Sequence, residues 1–162
     1  MKLALFHIFS GAPESLYDLG TDPKSASAAR GIKSWEVRQK VYIRQYMQIA
    51  QQFLLKAGFH PESLELKNQQ RKEGVARDII EEARKEYTAV IFRRRGLGAL
   101  RSIVMGSVAT KLIEKLSFIP LILVGRKPPG NKILLAFDGS EGAIRAVDFV
   151  GSTLAASILM LA

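Results

Sequence analysis

Between positions 90 and 107 the chain reads VIFRRRGLGALRSIVMGS, so four arginines (Arg93, Arg94, Arg95, Arg101) lie among Gly96, Gly98 and the pair Gly106-Ser107. Glycine lacks a Cβ, adopts positive φ and lets backbone N–H groups close on an anion. A helix N-terminus adds unpaired donors and a partial positive charge. The stretch is therefore either a phosphate loop or a basic solvated surface. Ser107 has two readings as well, as a helix cap or as a hydroxyl donor to phosphate. A second loop, DGSEG at 138 to 142, offers Asp138 after an apolar run, with Ser140 as a helix N-cap. Asp138 is either a turn residue or an acceptor for a ribose or adenine edge.

Sharper motifs fail. GLGALRS starts like G-x-G-x-x-G but has Arg101 in the last glycine position, and no G-x-x-x-x-G-K-[ST] or G-x-S-x-G occurs. The chain has no cysteine, which removes disulfides, thiolate catalysis and cysteine-bound metals. His7 and His60 lack partners at ligand spacing, so no metal site is expected, and His7 reads as a satisfied core histidine. No residue set suggests a nucleophile or general base, so no strong catalysis is expected.

Two kinds of element must position these loops. KLALFHIF (2 to 9) is an apolar run closed by a Ser-Gly-Ala-Pro turn, and it reads as a buried strand. Residues 11 to 31 read as a long loop leading into a helix. From Ile32 to Ala57, Trp35, Ile43, Met47, Ala50, Phe53, Leu54 and Ala57 recur at helical steps, and Gly58 stops the run. SLELK (63 to 67) alternates as a half-buried strand, and Val75, Ile79, Ile80 and Ala83 mark a helix. TAVIF (88 to 92) is a strand, Val108, Leu112, Ile113 and Leu116 a helix, and PLILV (120 to 124) a strand. KILLAF (132 to 137) is expected as a strand, followed by a helix and a last strand, SILML. Short strands alternating with helices predict an α/β fold with a parallel sheet and helices on both faces, where ligands bind at the carboxyl ends of the strands.

Two of these segments carry a resemblance. Gly96, nine residues and then Gly106-Ser107, set between strand and helix, resembles the nucleotide loop of the universal stress protein family, whose usual form is G-x-x-G, nine residues, G-[S/T]. KILLAFDGSEGAIRAVDFV separately resembles the first strand, aspartate loop and first helix of that family. The resemblance implies a Rossmann-like (adenine nucleotide alpha hydrolase-like) open five-stranded parallel sheet of order 3-2-1-4-5, in a cytoplasmic and usually dimeric protein. It implies ATP or AMP as ligand, with Mg2+ accompanying ATP, in a stress-response or regulatory role. Asp138 would meet the base or ribose, Ile8 would line the base, and Gly96, Gly106, Ser107 and Val108 would cradle phosphates. The first glycine of the pattern falls on Arg93, which either obstructs the phosphate space or contacts phosphate itself. An obstructed loop would leave a dimerisation or protein-interaction module on the same fold.

The order of segments departs from the family. Residues 1 to 125 resemble a universal stress domain without its first strand and helix. Residues 126 to 131 form a linker, and 132 to 162 supply a first strand, first helix and the start of a second strand. Gly125 to Asn131 spans at most about 25 Å, against a return of roughly 17 to 20 Å along a strand plus two strand positions sideways. The expectation is a homodimer exchanging residues 132 to 162. Self-completion and a fragment of a longer tandem protein are the other two readings. Formal net charge is +9, from 24 Lys+Arg against 15 Asp+Glu, which suits anionic partners. No aromatic residue interleaves with the arginines, Arg126 or Lys127, which argues against nucleic acid. No apolar run reaches membrane-span length, and the N-terminal run is interrupted by His7, so a cytoplasmic chain is expected.

Overall fold

The computed structural model describes residues 2–12, 23–93, 106–125 and 133–154, with backbone alone at 23–29 and 154. The chain divides into two units, Met1–Gly125 and Arg126–Ala162. The first unit runs β1 (Leu3–Phe9), α1 (Pro23–Lys56), a 3-10 turn (Pro61–Ser63), β2 (Leu64–Gln70), α2 (Val75–Ala83), β3 (Val90–Arg93), α3 (Ser107–Lys115) and β4 (Leu121–Val124). It is mixed α/β, and its strands pair in parallel, β1 with β2 from Leu3↔Leu64 to Phe9↔Gln70 and β3 with β4 from Val90↔Leu121 to Arg93↔Val124. Among the described residues these are two separate two-stranded sheets. The single five-stranded sheet expected from the sequence is not shown among the described residues.

That strand was expected at 132 to 137. Residues 133–138 carry no regular secondary structure. A strand is defined by a neighbour that accepts and donates its backbone hydrogen bonds, and apolar content alone does not supply one. The expected strand SILML and the linker lie outside the described residues. α1 also departs from expectation, beginning at Pro23 and running 34 residues. Proline at the first helical position is favourable, and the ~1 kcal/mol cost of Gly31 inside the helix is absorbed by its length. The C-terminal end is as expected. Gly58 takes φ 93°, and Phe59 N–H donates to the Leu54 carbonyl at 3.1 Å, closing the helix with a left-handed residue.

The core of the unit lies where α2 and α3 pack on β3 and β4. Ala76, Ala83, Leu112, Leu116 and Ile119 are buried there, with Ile79, Ile80, Val90, Phe92, Val108 and Leu121 against them. Leu112 is 1% exposed. Residues 76, 79, 80 and 83 share one helical face, and Val90 and Phe92 alternate to the inner face of β3. Ile91, on the opposite face of that strand, is 57% exposed.

A polar tie fastens α2 to β2. The Glu82 carboxylate, 8% exposed, accepts from Lys67 Nζ at 2.9 Å, Tyr87 Oη at 2.8 Å and Lys85 Nζ at 2.8 Å. Burial works to raise its pKa, but the hydrogen bonds from Lys85, Lys67 and Tyr87 outweigh it and bring the value to about 2. Asp78 does a similar task locally. Burial opposes its charge, yet N–H donors of Lys72 (2.8 Å) and Glu73 (3.1 Å) lower its pKa and fold the turn onto the start of α2.

His7 corrects an expectation. Its Nε2 is buried without a hydrogen-bond partner among the described residues, so these residues do not make it a satisfied core histidine, and burial lowers its pKa below 6.5. The folded state prefers the neutral ring, so its contribution to stability is full above pH 6.5 and falls as pH drops toward the lowered folded value. In His7→Leu this loss between pH 7 and 5 should be absent from guanidinium unfolding curves. Leu112→Ala should cost about 2 to 5 kcal/mol in the same measurement.

Candidate functional site

Parallel strands gather their carboxyl ends on one side of each pair, and Ile8 and Arg93 lie at or next to two of these ends. Ile8 is buried near the end of β1, level with Gln69 of β2. Beyond it, the Ala12 N–H donates to Glu36 Oε1 of α1 at 2.9 Å. A Cβ at Gly11 would sit 2.6 Å from that same oxygen and 3.1 Å from Gln70 Nε2. Lys40 Nζ lies 5.2 Å from the centre of the Phe9 ring, a cation–π approach. Gly11, Glu36 and Gln70 thus form a small polar cluster at the end of the β1–β2 pair. Sequence reading missed it, because Glu36 lies on a helix 24 residues from Ala12. Its only signal was the Ser-Gly turn.

Arg93 is the last residue of β3, level with Val124 of β4, and is exposed. Among the described residues it makes no ion pair. Gly96 lies outside the described residues. Gly106 is the N-cap of α3, with φ −60° and ψ 146°, and among the described residues no side chain caps the helix. Its carbonyl accepts from Thr110 N–H at 3.0 Å. Ser107 is therefore the first helical residue and not the cap, and its hydroxyl has no hydrogen-bond partner among the described residues. Val108 follows, half-buried against the core. The first turn of α3 carries no acid. Among the described residues no group accepts from its first backbone donors, which suit an anion.

Asp138 belongs to the second unit. Its Oδ1 accepts from Ser140 N–H at 2.9 Å, and Gly139 takes φ 80°, a conformation that favours glycine. Ser140 Oγ accepts from Ala143 N–H at 3.1 Å and caps α4 (Glu141–Phe149), as the sequence predicted. The Ser140 hydroxyl and N–H lower the Asp138 pKa, so this carboxylate is an ionised acceptor at neutral pH. An open cleft of about 340 Å³ is lined by Ala136, Phe137, Asp138, Ser140 and Ala143.

Ile8, Arg93 and the Gly106-Ser107-Val108 start of α3 share the first unit, while Asp138 stands in the second. The arrangement has hydrogen-bond donors for an anion on one unit and an acceptor beside a cleft on the other. Comparison of the chain with family models, curated proteins and solved structures finds no match. Ser140→Ala should weaken the start of α4 by about 1 kcal/mol, read as roughly fivefold faster hydrogen exchange at the amide of Ala143.

Proposed function

We propose that the chain is a nucleotide-binding module of the universal stress type, taking ATP or AMP in a cytoplasmic regulatory or stress-response role with little or no catalysis. The observation that carries this reading is the start of α3. It is entered through glycine, lacks a side-chain cap and a first-turn acid, and leaves the Ser107 hydroxyl without a partner among the described residues. That donor set suits phosphate oxygens. The resemblance of two separate segments to the family supports the assignment, with Ile8 at the base and Asp138 at the base or ribose. Mg2+ would enter with ATP, bridging its phosphates. In this reading β1–β2 and β3–β4 are the outer pairs of a five-stranded sheet of order 3-2-1-4-5, whose centre belongs to residues 132 to 137.

Arg93 decides between contact and obstruction. It is exposed and without an ion-pair partner among the described residues, which suits a guanidinium reaching toward phosphate. Isothermal titration with ATP, with and without Mg2+, and with AMP tests the proposal. Heat should appear at millimolar nucleotide, and Arg93→Gly should weaken ATP binding about 10- to 100-fold, the worth of a charge-assisted hydrogen bond. Tighter binding in Arg93→Gly would show that the arginine obstructs. No heat in either protein would favour the second reading, a dimerisation or protein-interaction module on the same fold. The arginine in a glycine's place and the exposed apolar face of α1 support that alternative.

A further inference from the structure

α1 carries two apolar faces where a helix on the surface of a small domain ordinarily has one. Ile32, Ile43, Met47, Ala50 and Leu54 are half-buried and share one face. Trp35, Tyr42, Tyr46, Ile49 and Phe53 are exposed, at successive steps of seven, four, three and four that align them as a second stripe, about 27 Å long. Apolar surface on this scale marks an interaction site. The charges of the same helix are one-sided. Arg30, Lys33, Arg38, Lys40, Arg44 and Lys56 are all exposed. The one acid of α1, Glu36, is half-buried and accepts from the Ala12 N–H at 2.9 Å. The exposed surface of α1 therefore holds aromatic rings and cations, with no exposed carboxylate among them. At about 100° per residue, Arg38 and Lys56 fall some 60° from the line through Trp35 and Phe53, so they border the stripe.

We infer that this face of α1 docks on an anionic lipid surface, the stripe lying in the boundary between headgroups and acyl chains and the basic side chains meeting the headgroups. Such a surface is apolar beneath and negative above, and a helix with aromatic side chains on one face and Lys and Arg beside them matches both layers. Tryptophan and tyrosine suit that boundary, with an apolar ring and a polar edge that stays wet. No helix among the described residues is long and apolar enough to cross a membrane, and α1 has the composition of one that lies on its surface. Charge selects this occupant over a second copy of the chain. Two such faces meeting would set six cations against six, on chains of formal net charge +9 each. A nucleic-acid strand answers the charge, but it binds by stacking bases on separate rings and offers no apolar layer for Ile49. The inference is independent of the nucleotide-binding reading.

Trp35 is the chain's only tryptophan and stands in the stripe, so its fluorescence reports the contact directly. The full chain should co-sediment with vesicles of phosphatidylcholine containing about one-third phosphatidylserine, less so as salt rises, and stay free of vesicles of phosphatidylcholine alone. On the anionic vesicles its emission should shift to the blue and be quenched by acyl chains brominated near the headgroup. Tyr46→Asp and Phe53→Asp should each lower partitioning about tenfold or more, and Arg38→Ala and Lys56→Ala about fivefold each, with far-UV circular dichroism unchanged. Should a variant lose its helical signal, the quenching of Trp35 in the unaltered chain decides alone. Absence of binding to the anionic vesicles, equal binding to both compositions, or binding without quenching of Trp35 overturns the proposal. A single-stranded oligonucleotide that shifts the Trp35 emission where vesicles do not also overturns it, and gives this face to nucleic acid.

Discussion

Lateral backbone pairing is the constraint on which the rest of this structure depends. A strand presents N–H and C=O groups on both edges, and each must meet another strand or water. The β1–β2 register joins residues 3 to 9 to residues 64 to 70, and the β3–β4 register joins 90 to 93 to 121 to 124. Nothing within 133–138 takes part in a ladder, and among the described residues the strands form two pairs. Edges of this kind attract other strands, and a protein that leaves them open must cover them or recruit a partner. Among the described residues, Ile91 on the outer face of β3 is exposed, as are Trp35, Tyr42, Tyr46, Ile49 and Phe53 of α1.

Within the first unit, apolar packing and polar ties divide the work. The α2–α3 core is apolar, built on Ala76, Ala83, Leu112, Leu116 and Ile119. Glu82 adds directional hold. Its carboxylate sits at the edge of this core and joins Lys67 of β2, Lys85 and Tyr87. Burying a carboxylate is unfavourable by itself, and three donors reverse the sign. Asp78 applies the same rule to backbone donors and so holds the turn that follows β2. Together these groups hold α2 against β1 and the core beside β3.

At the two loops, capping chemistry separates groups that are engaged from groups that are left over. Ser140 and Asp138 satisfy the start of α4 from within the loop itself. The start of α3 has no such arrangement, since Gly106 offers no side chain and Ser107 stands one position too late to cap. A serine at the cap and a serine at the next residue look alike as residue types. Their hydrogen bonds differ, and only the second has a hydroxyl to spare.

Local pattern carried far in this protein. The helical faces of 75 to 83, 107 to 115 and 141 to 149, the strands at 3 to 9, 90 to 93 and 121 to 124, the stop at Gly58 and the Ser140 cap all follow from periodicity and turn chemistry within a few residues. The sequence alone therefore determined an alternating α/β order with parallel-type strands. Tertiary structure decided whatever needs a distant partner. It left Trp35 and Phe53 on the outside of α1 while Ile43, Met47 and Leu54 turned partly inward. Among the described residues it left His7 Nε2 without a partner, brought Glu36 to Ala12 and gathered three donors on Glu82. It also withheld strand structure from residues 133–137, although they are as apolar as β4. The physical reason is the same each time. Periodicity says which face a side chain prefers, but a strand edge, a buried carboxylate or an imidazole nitrogen is satisfied only by groups that the chain's path brings, or fails to bring, within hydrogen-bonding distance.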